Sequence, residues 1–215
     1  MKALIFDSSA VISLALNDLL HILEPLKKAF DGNFYLSKTI KSEIIDYSIE
    51  TRRFMLEAFM INNLIEKGVF TVYNDKVDFD KVLNIANSAF QIHNDSINMI
   101  HRGEASCIAL YKQLDAEKKA IVIDERTTRM LCEAPEKLHR LMELKLGKKI
   151  SVNKDNFKFF KDINVIRSSE LALIALKKGI INFSFSREKV LEGLLYALKF
   201  KGCSISNNEI QEMLH

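Results

Sequence analysis

Residues 2–14 read KALIFDSSAVISL. A short apolar run closes on an acid, Asp7, two serines follow, and apolar residues then recur at helical spacing. A run of this length between polar residues reads as a buried strand, and Ser8 or Ser9 reads as the cap of the helix after it. A strand passing straight into a helix is half of a βα unit, and such units stack into a parallel sheet. Asp7 stands at the joint. As a residue type it fits a helix cap or a ligand equally well.

The same pattern recurs along the chain. NFYLS (33–37) reads as a strand, and Ser37 or Thr39 then opens a helix through TIKSEIIDYS. HILEPLKKAF (21–30) and RRFMLEAFMINNLIEKG have helical spacing, the latter stopping at Gly68. VFTVYN (69–74), KAIVID (119–124) and INVIR (163–167) read as further strands. DFDKVLNIANSAFQIH (78–93), GEASCIALYKQLDAEKK, the stretch from Glu125 and SELALIALKKG read as helices, with Gly179 ending the last. The alternation predicts an α/β fold with three layers, a parallel sheet of about five strands between helices. Ligands in such sheets sit beyond the carboxyl ends of the strands.

Two stretches lie outside the βα rhythm. Residues 133–162 read as a helical insertion in a domain spanning 1–180, and 181–215 as a C-terminal helical extension packed on it. Basic residues interleaved with phenylalanine in the insertion suit single-stranded nucleic acid; an amphipathic helix pair with a solvated lysine face is the alternative reading.

Composition sets the outer bounds. The 215 residues are 48% hydrophobic and 27% charged, an ordinary globular balance. No stretch approaches the roughly 20 apolar residues of a membrane helix, and a strand-like start leaves no room for a signal peptide, so a cytoplasmic protein is expected. A net charge of +3 permits a nucleic-acid partner without requiring one. Three widely spaced cysteines, Cys107, Cys132 and Cys203, offer no zinc spacing and read as core thiols. The five histidines form no metal spacing either; His101, three residues before Glu104, is the one placed to approach a site there.

The chemistry lies with the acids. Asp7 and Asp124 each end a strand, and parallel strands bring both to one edge. Glu104 lies in the first turn after Gly103, and Glu43 about one turn into its helix. All four can converge above the sheet. Unpaired carboxylates in one cleft resist ionisation; pairing with Arg or Lys relieves them, and so does a hard divalent cation, which takes oxygen ligands. Such a cation polarises a phosphoryl oxygen and acidifies water. Ser8 and Ser9 are placed to orient Asp7 or to meet phosphate. Glu43 also fits a capping box or a surface helix, and Glu125 fits the site or the helix dipole. Arg126 and Arg129 fit phosphate contact or neutralisation of nearby acids.

With these motifs the chain resembles the PIN-domain nucleases, especially archaeal stand-alone forms and the toxin nucleases of toxin–antitoxin pairs. FDSSAVISL is similar to the family's opening strand and acid, SKTIKSEII to the helix of its second acid, GEASCIAL to its third motif, and IVIDERTTRML to its fourth. INVIRSSELALIALKKGII resembles the segment where a strand leads to a Gly-Thr pair and a helix, here with Arg167 and Ser168 in place of the pair and Glu170 in place of a later glycine. The resemblance spans most of 1–132 and 163–214. It implies a ribonuclease dependent on Mg²⁺ or Mn²⁺, with Asp7, Glu43, Glu104 and Asp124 as ligands and Ser8, Ser9, Arg126, Arg129 and Ser168 at the substrate. It also implies RNA in single-stranded form as the partner molecule, with an antitoxin-like protein or a second copy as further partners. For a second copy the 54–65 helix offers an apolar face, which suits the core equally. The departures at Arg167 and in the insertion keep a non-catalytic RNA- or protein-binding module as the alternative. A haloacid dehalogenase phosphatase is disfavoured, because Ser9 stands where its loop needs a second acid.

Overall fold

The computed structural model describes residues 1–93 and 95–215. In chain order the first half contains β1 (Lys2–Phe6), α1 (Ser8–Leu16), α2 (Leu23–Phe30), β2 (Asn33–Ser37) and α3 (Lys38–Lys41). A π-helical turn, Ser42–Asp46, then leads into α4 (Tyr47–Thr51), followed by α5 (Met55–Glu66), β3 (Phe70–Tyr73) and α6 (Phe79–Asn87). Next come β4 (Phe90–Ile92), β5 (Asp95–Ser96), α7 (Arg102–Gln113), β6 (Lys118–Val122), α8 (Arg126–Glu133) and α9 (Pro135–Leu146). The chain closes with β7 (Ser151–Val152), α10 (Lys154–Phe160), β8 (Val165–Ile166), α11 (Ser168–Lys177), α12 (Arg187–Phe200) and α13 (Asn207–Leu214).

Five strands form one sheet in the order β3-β2-β1-β6-β8, and every pairing in it is parallel. The α/β architecture expected from the alternating pattern is therefore the one observed. β1 lies at the centre because it is apolar on both faces: Ala3, Ile5 and Phe6 are fully buried. Phe6 packs against Phe34 and Phe70, with ring centroids 5.0 and 5.1 Å away. The chain moves outward from β1 through β2 to β3, then returns to the other side of β1 with β6. That reversal makes the β1–β6 crevice the switch point where ligands settle in open α/β sheets.

Helix ends follow the sequence signals with one change. Gly68 and Gly179 take left-handed φ values of 70° and 71° just past α5 and α11, as helix stops require. Ser37 caps α3, accepting from the Ile40 amide. The cap of α1, however, is Asp7 itself, whose side chain accepts from the Ser9 amide.

The insertion is less purely helical than its composition predicts. β7 pairs antiparallel with β4, which pairs with β5, giving a second, three-stranded sheet. The helix expected over 78–93 stops at Asn87 for the same reason. Phe90–Ile92 is apolar at a spacing that suits either state. Its partner strand lies some sixty residues onward, and Phe157 of α10 packs against Phe90 in a tilted arrangement, ring centroids 5.4 Å apart. The C-terminal helices pack back on the domain: the Ser204 amide donates to the Asp124 carbonyl. Cys107, Cys132 and Cys203 are free and buried. Among the described residues no single helix is long and apolar enough to cross a membrane.

Candidate functional site

The β1–β6 crevice is closed by a chain of hydrogen bonds. The Asp7 amide donates to the Val122 carbonyl at 2.9 Å, extending the strand pairing by one residue. The Ser9 hydroxyl donates to Asp7 Oδ2 at 2.5 Å and accepts from the Asp124 amide at 3.1 Å. Ser9 therefore fixes Asp7 and ties the two strand ends together. Asp7 Oδ1 is left buried with no hydrogen-bond partner. A buried carboxylate oxygen with nothing to accept from is costly, and in native proteins such atoms call for an explanation.

Two further acids face Asp7. Glu43 comes from the π-helical turn, a form of helix that recurs at functional sites. Its Oε1 accepts from the Ser8 hydroxyl at 3.0 Å. Its Oε2 lies against the start of α7, so close that a Cβ on Gly103 would stand 2.7 Å from it. Gly103 thus lets the Glu43 carboxylate lie in this position, which a Cβ there would force to shift. Glu104, one residue on, accepts from the His101 amide through Oε2 at 2.8 Å. α7 is anchored at this edge by Ser106, whose hydroxyl meets that of Ser37 at the end of β2, 2.6 Å away.

Burial and neighbouring acids act on Asp7 and Glu43. Burial first, then Glu104, and more weakly Glu43, push the Asp7 carboxyl up to about 7, against the opposing bonds from Ser9. Glu43 is also raised, by burial and by Glu104, against the Ser8 bond and the positive influence of His101. The Cys107 thiol beneath them is pushed up by burial and then by Asp7, Glu104 and Glu43 in turn. No arginine or lysine is among the groups that shift Asp7 or Glu43. Among the described residues, Asp7, Glu43 and Glu104 each keep one carboxylate oxygen that accepts no protein hydrogen bond.

Asp124 has a different position. Its Oδ1 accepts from the Ser168 amide at 2.8 Å and its Oδ2 from the Ser168 hydroxyl at 2.6 Å. It is fully buried, which raises its carboxyl, while the Ser168 bonds oppose that rise. Asp124 therefore anchors the start of α11 to the end of β6. Asp7, Glu43 and Glu104 thus keep an oxygen free of protein donors, whereas both oxygens of Asp124 accept from Ser168. Glu125 likewise caps α8, accepting from the Thr127 and Thr128 amides.

The basic residues also divide. Arg129 is buried and pairs with Glu209 at 3.2 Å and the Ser204 carbonyl at 3.3 Å. Arg167 is buried as well, and pairs with Glu170 at 2.6 Å and the same Glu209 at 2.7 Å. Both arginines hold α13 in place, so neither presents a free guanidinium to phosphate or to the three acids. Arg126 is exposed at the start of α8, on the carboxylate edge of the sheet.

Among the described residues no three Asp, Glu, His or Cys side chains are already arranged as a metal site. The donor chemistry nevertheless suits a hard cation. The site has an orphaned buried carboxylate oxygen, two neighbouring acids with a free oxygen each, and a glycine that lets one of them approach. The role of Gly103 was not singled out from sequence, where a glycine directly before a first-turn acid was the available signal. Comparison with protein-family models, curated proteins and solved structures finds no match.

Proposed function

We propose that the chain is a PIN-type ribonuclease that hydrolyses RNA phosphodiester bonds with Mg²⁺ or Mn²⁺ at Asp7, Glu43 and Glu104. One observation carries the reading: carboxylates from three elements gather at the sheet's switch point, where burial and Glu104 raise both Asp7 and Glu43 and one buried Asp7 oxygen is unsatisfied. Concentrated negative charge of this kind is relieved by a divalent cation. An ion there would supply polarisation of a phosphoryl oxygen and acidification of the attacking water. Ser9 holds Asp7 in orientation and Ser8 holds Glu43, so both serines act on the acids. Asp124 sets the crevice through its amide bond to Ser9 and through α11. Arg126, exposed on the same edge, is a cation placed to meet the RNA backbone. In-line hydrolysis would leave a 5′-phosphate and a 3′-hydroxyl.

The test is incubation of end-labelled single-stranded and hairpin RNA with the pure protein, in Mn²⁺, in Mg²⁺ and in EDTA. Metal-dependent cleavage that Asp7→Asn and Glu104→Gln abolish is the expected result. Cleavage that persists in EDTA or in both variants overturns it. A second reading, a non-catalytic RNA- or protein-binding module, is favoured by the full engagement of Asp124 with Ser168. Calorimetry separates the two, since no heat on titrating millimolar Mn²⁺ selects the module.

A further inference from the structure

α8 and α9 are joined through the single residue Ala134 and pack against each other. Together with the 97–99 segment that leads toward α7, they enclose a groove of about 440 Å³. Its size lies within the range of small-ligand sites. The lining is mostly apolar and soft, with Met99, Met130 and Met142 contributing thioethers beside Leu141, and Asn98 and Thr127 adding uncharged polar groups. Thioether sulfur packs favourably on aromatic rings and adapts to their outline. Arg126 and Lys145 also line the groove, and both are exposed. Among the described residues no carboxylate lines it.

That combination selects for a ligand with a flat apolar body and an anionic end. A neighbouring groove of about 630 Å³ shares Arg126 but sets Glu133, Glu209 and Glu212 against its cations, so it does not favour an anion. The smaller groove belongs to the edge of the sheet that carries the acids: Arg126 follows Asp124 by two residues, and Met99 precedes the α7 turn bearing Glu104 by five.

We propose that this groove holds one nucleotide of the RNA strand, its base against the three methionines and its phosphate on Arg126 and Lys145. The insertion thereby forms a subsite that positions the strand at the carboxylates. Taking RNA as the source of the nucleotide rests on the nuclease reading above. The methionines themselves offer a base no strong hydrogen bond, so discrimination among bases falls to Asn98 and Thr127, the uncharged polar side chains of the lining.

The experiment titrates adenosine 5′-monophosphate, adenosine and inorganic phosphate separately into the full chain in EDTA, followed by NMR or calorimetry. The monophosphate is expected to bind at least tenfold more tightly than adenosine or phosphate alone. Met142→Glu places a carboxylate in the groove and is expected to abolish that binding; Arg126→Ala is expected to weaken it about tenfold. Both positions are at least partly exposed, so the fold should survive, and circular dichroism checks that it does. A short single-stranded RNA should bind at least tenfold more tightly than the monophosphate; equal affinity overturns the assignment to RNA. Monophosphate that binds no better than phosphate, or equally well in Met142→Glu, overturns the groove itself. Because the titrations need no metal, absent binding refutes the groove even where cleavage depends on Asp7. Cleavage that ignores Asp7 refutes the nuclease reading and leaves the binding result standing.

Discussion

Replacing Asp7 by Asn should make the metal-free protein more stable at pH 8, although it alters a buried residue beside the central strand. Burial and the neighbouring Glu104 raise the Asp7 carboxyl from an ordinary value of 3.8 to about 7. Between those values the folded chain holds a proton that the unfolded chain has lost, so stability falls as pH rises across that window. Below about pH 4 both states are protonated and the penalty vanishes; above about pH 7 it is complete. A shift of about three units corresponds to roughly 4 kcal/mol. Asn keeps the shape but accepts more weakly from Ser9, so the net gain at pH 8 is about 2 kcal/mol. For a chain of this size that is a rise in Tm of about 4–8 °C. The assay is thermal unfolding in EDTA at pH 8 and pH 4.5, with the advantage of the variant fading at the lower pH. Adding millimolar Mn²⁺ should then raise the Tm of the wild type and leave Asp7→Asn unmoved. An Asp7→Asn chain that melts lower than wild type by the same margin at both pH values refutes the electrostatic account of the site.

Gly103→Ala sets a helix-propensity gain of about 1 kcal/mol against a methyl placed 2.7 Å from Glu43 Oε2. Stability should change little while Mn²⁺ affinity drops at least tenfold, and calorimetry showing unchanged affinity would count against Glu43 as a ligand. Glu209→Gln should destabilise the chain by about 2 kcal/mol at pH 7, because it leaves Arg129 and Arg167 short of a shared partner. Burial pushes the Glu209 carboxyl up, but the Ser206 bonds and Arg167 more than offset this and hold it at about 2. Its stabilising effect is therefore present above about pH 4.5 and lost as pH falls toward 2; urea unfolding that shows the same difference at pH 3 and pH 7 would contradict this. Ser168→Ala removes the 2.6 Å bond to buried Asp124 and should cost about 2 kcal/mol in urea unfolding. A loss under 0.5 kcal/mol would mean that Asp124 does not anchor α11.

The residues KALIF, NFYLS and KAIVID announced their strands because runs buried on both faces are apolar throughout, and that property is local. The stops at Gly68 and Gly179 were legible for a similar reason, since a left-handed residue after a helix is most easily glycine. Phe90–Ile92 was not legible as a strand, because its partner Ser151–Val152 is far along the chain. Asp7 and Asp124 looked alike as strand-end acids, and nothing in their neighbours told them apart.

Local sequence thus determined the parallel sheet, several of its strands and the acids that end two of them, because backbone periodicity and burial are written in adjacent residues. Only the tertiary structure decided which carboxylates remain free. That choice depended on Ser168 reaching Asp124 across 44 positions, and on Glu209 drawing Arg129 and Arg167 away from the acids. Hydrogen bonds and ion pairs form between groups that meet in space, and their partners leave no trace in the spacing of nearby residues.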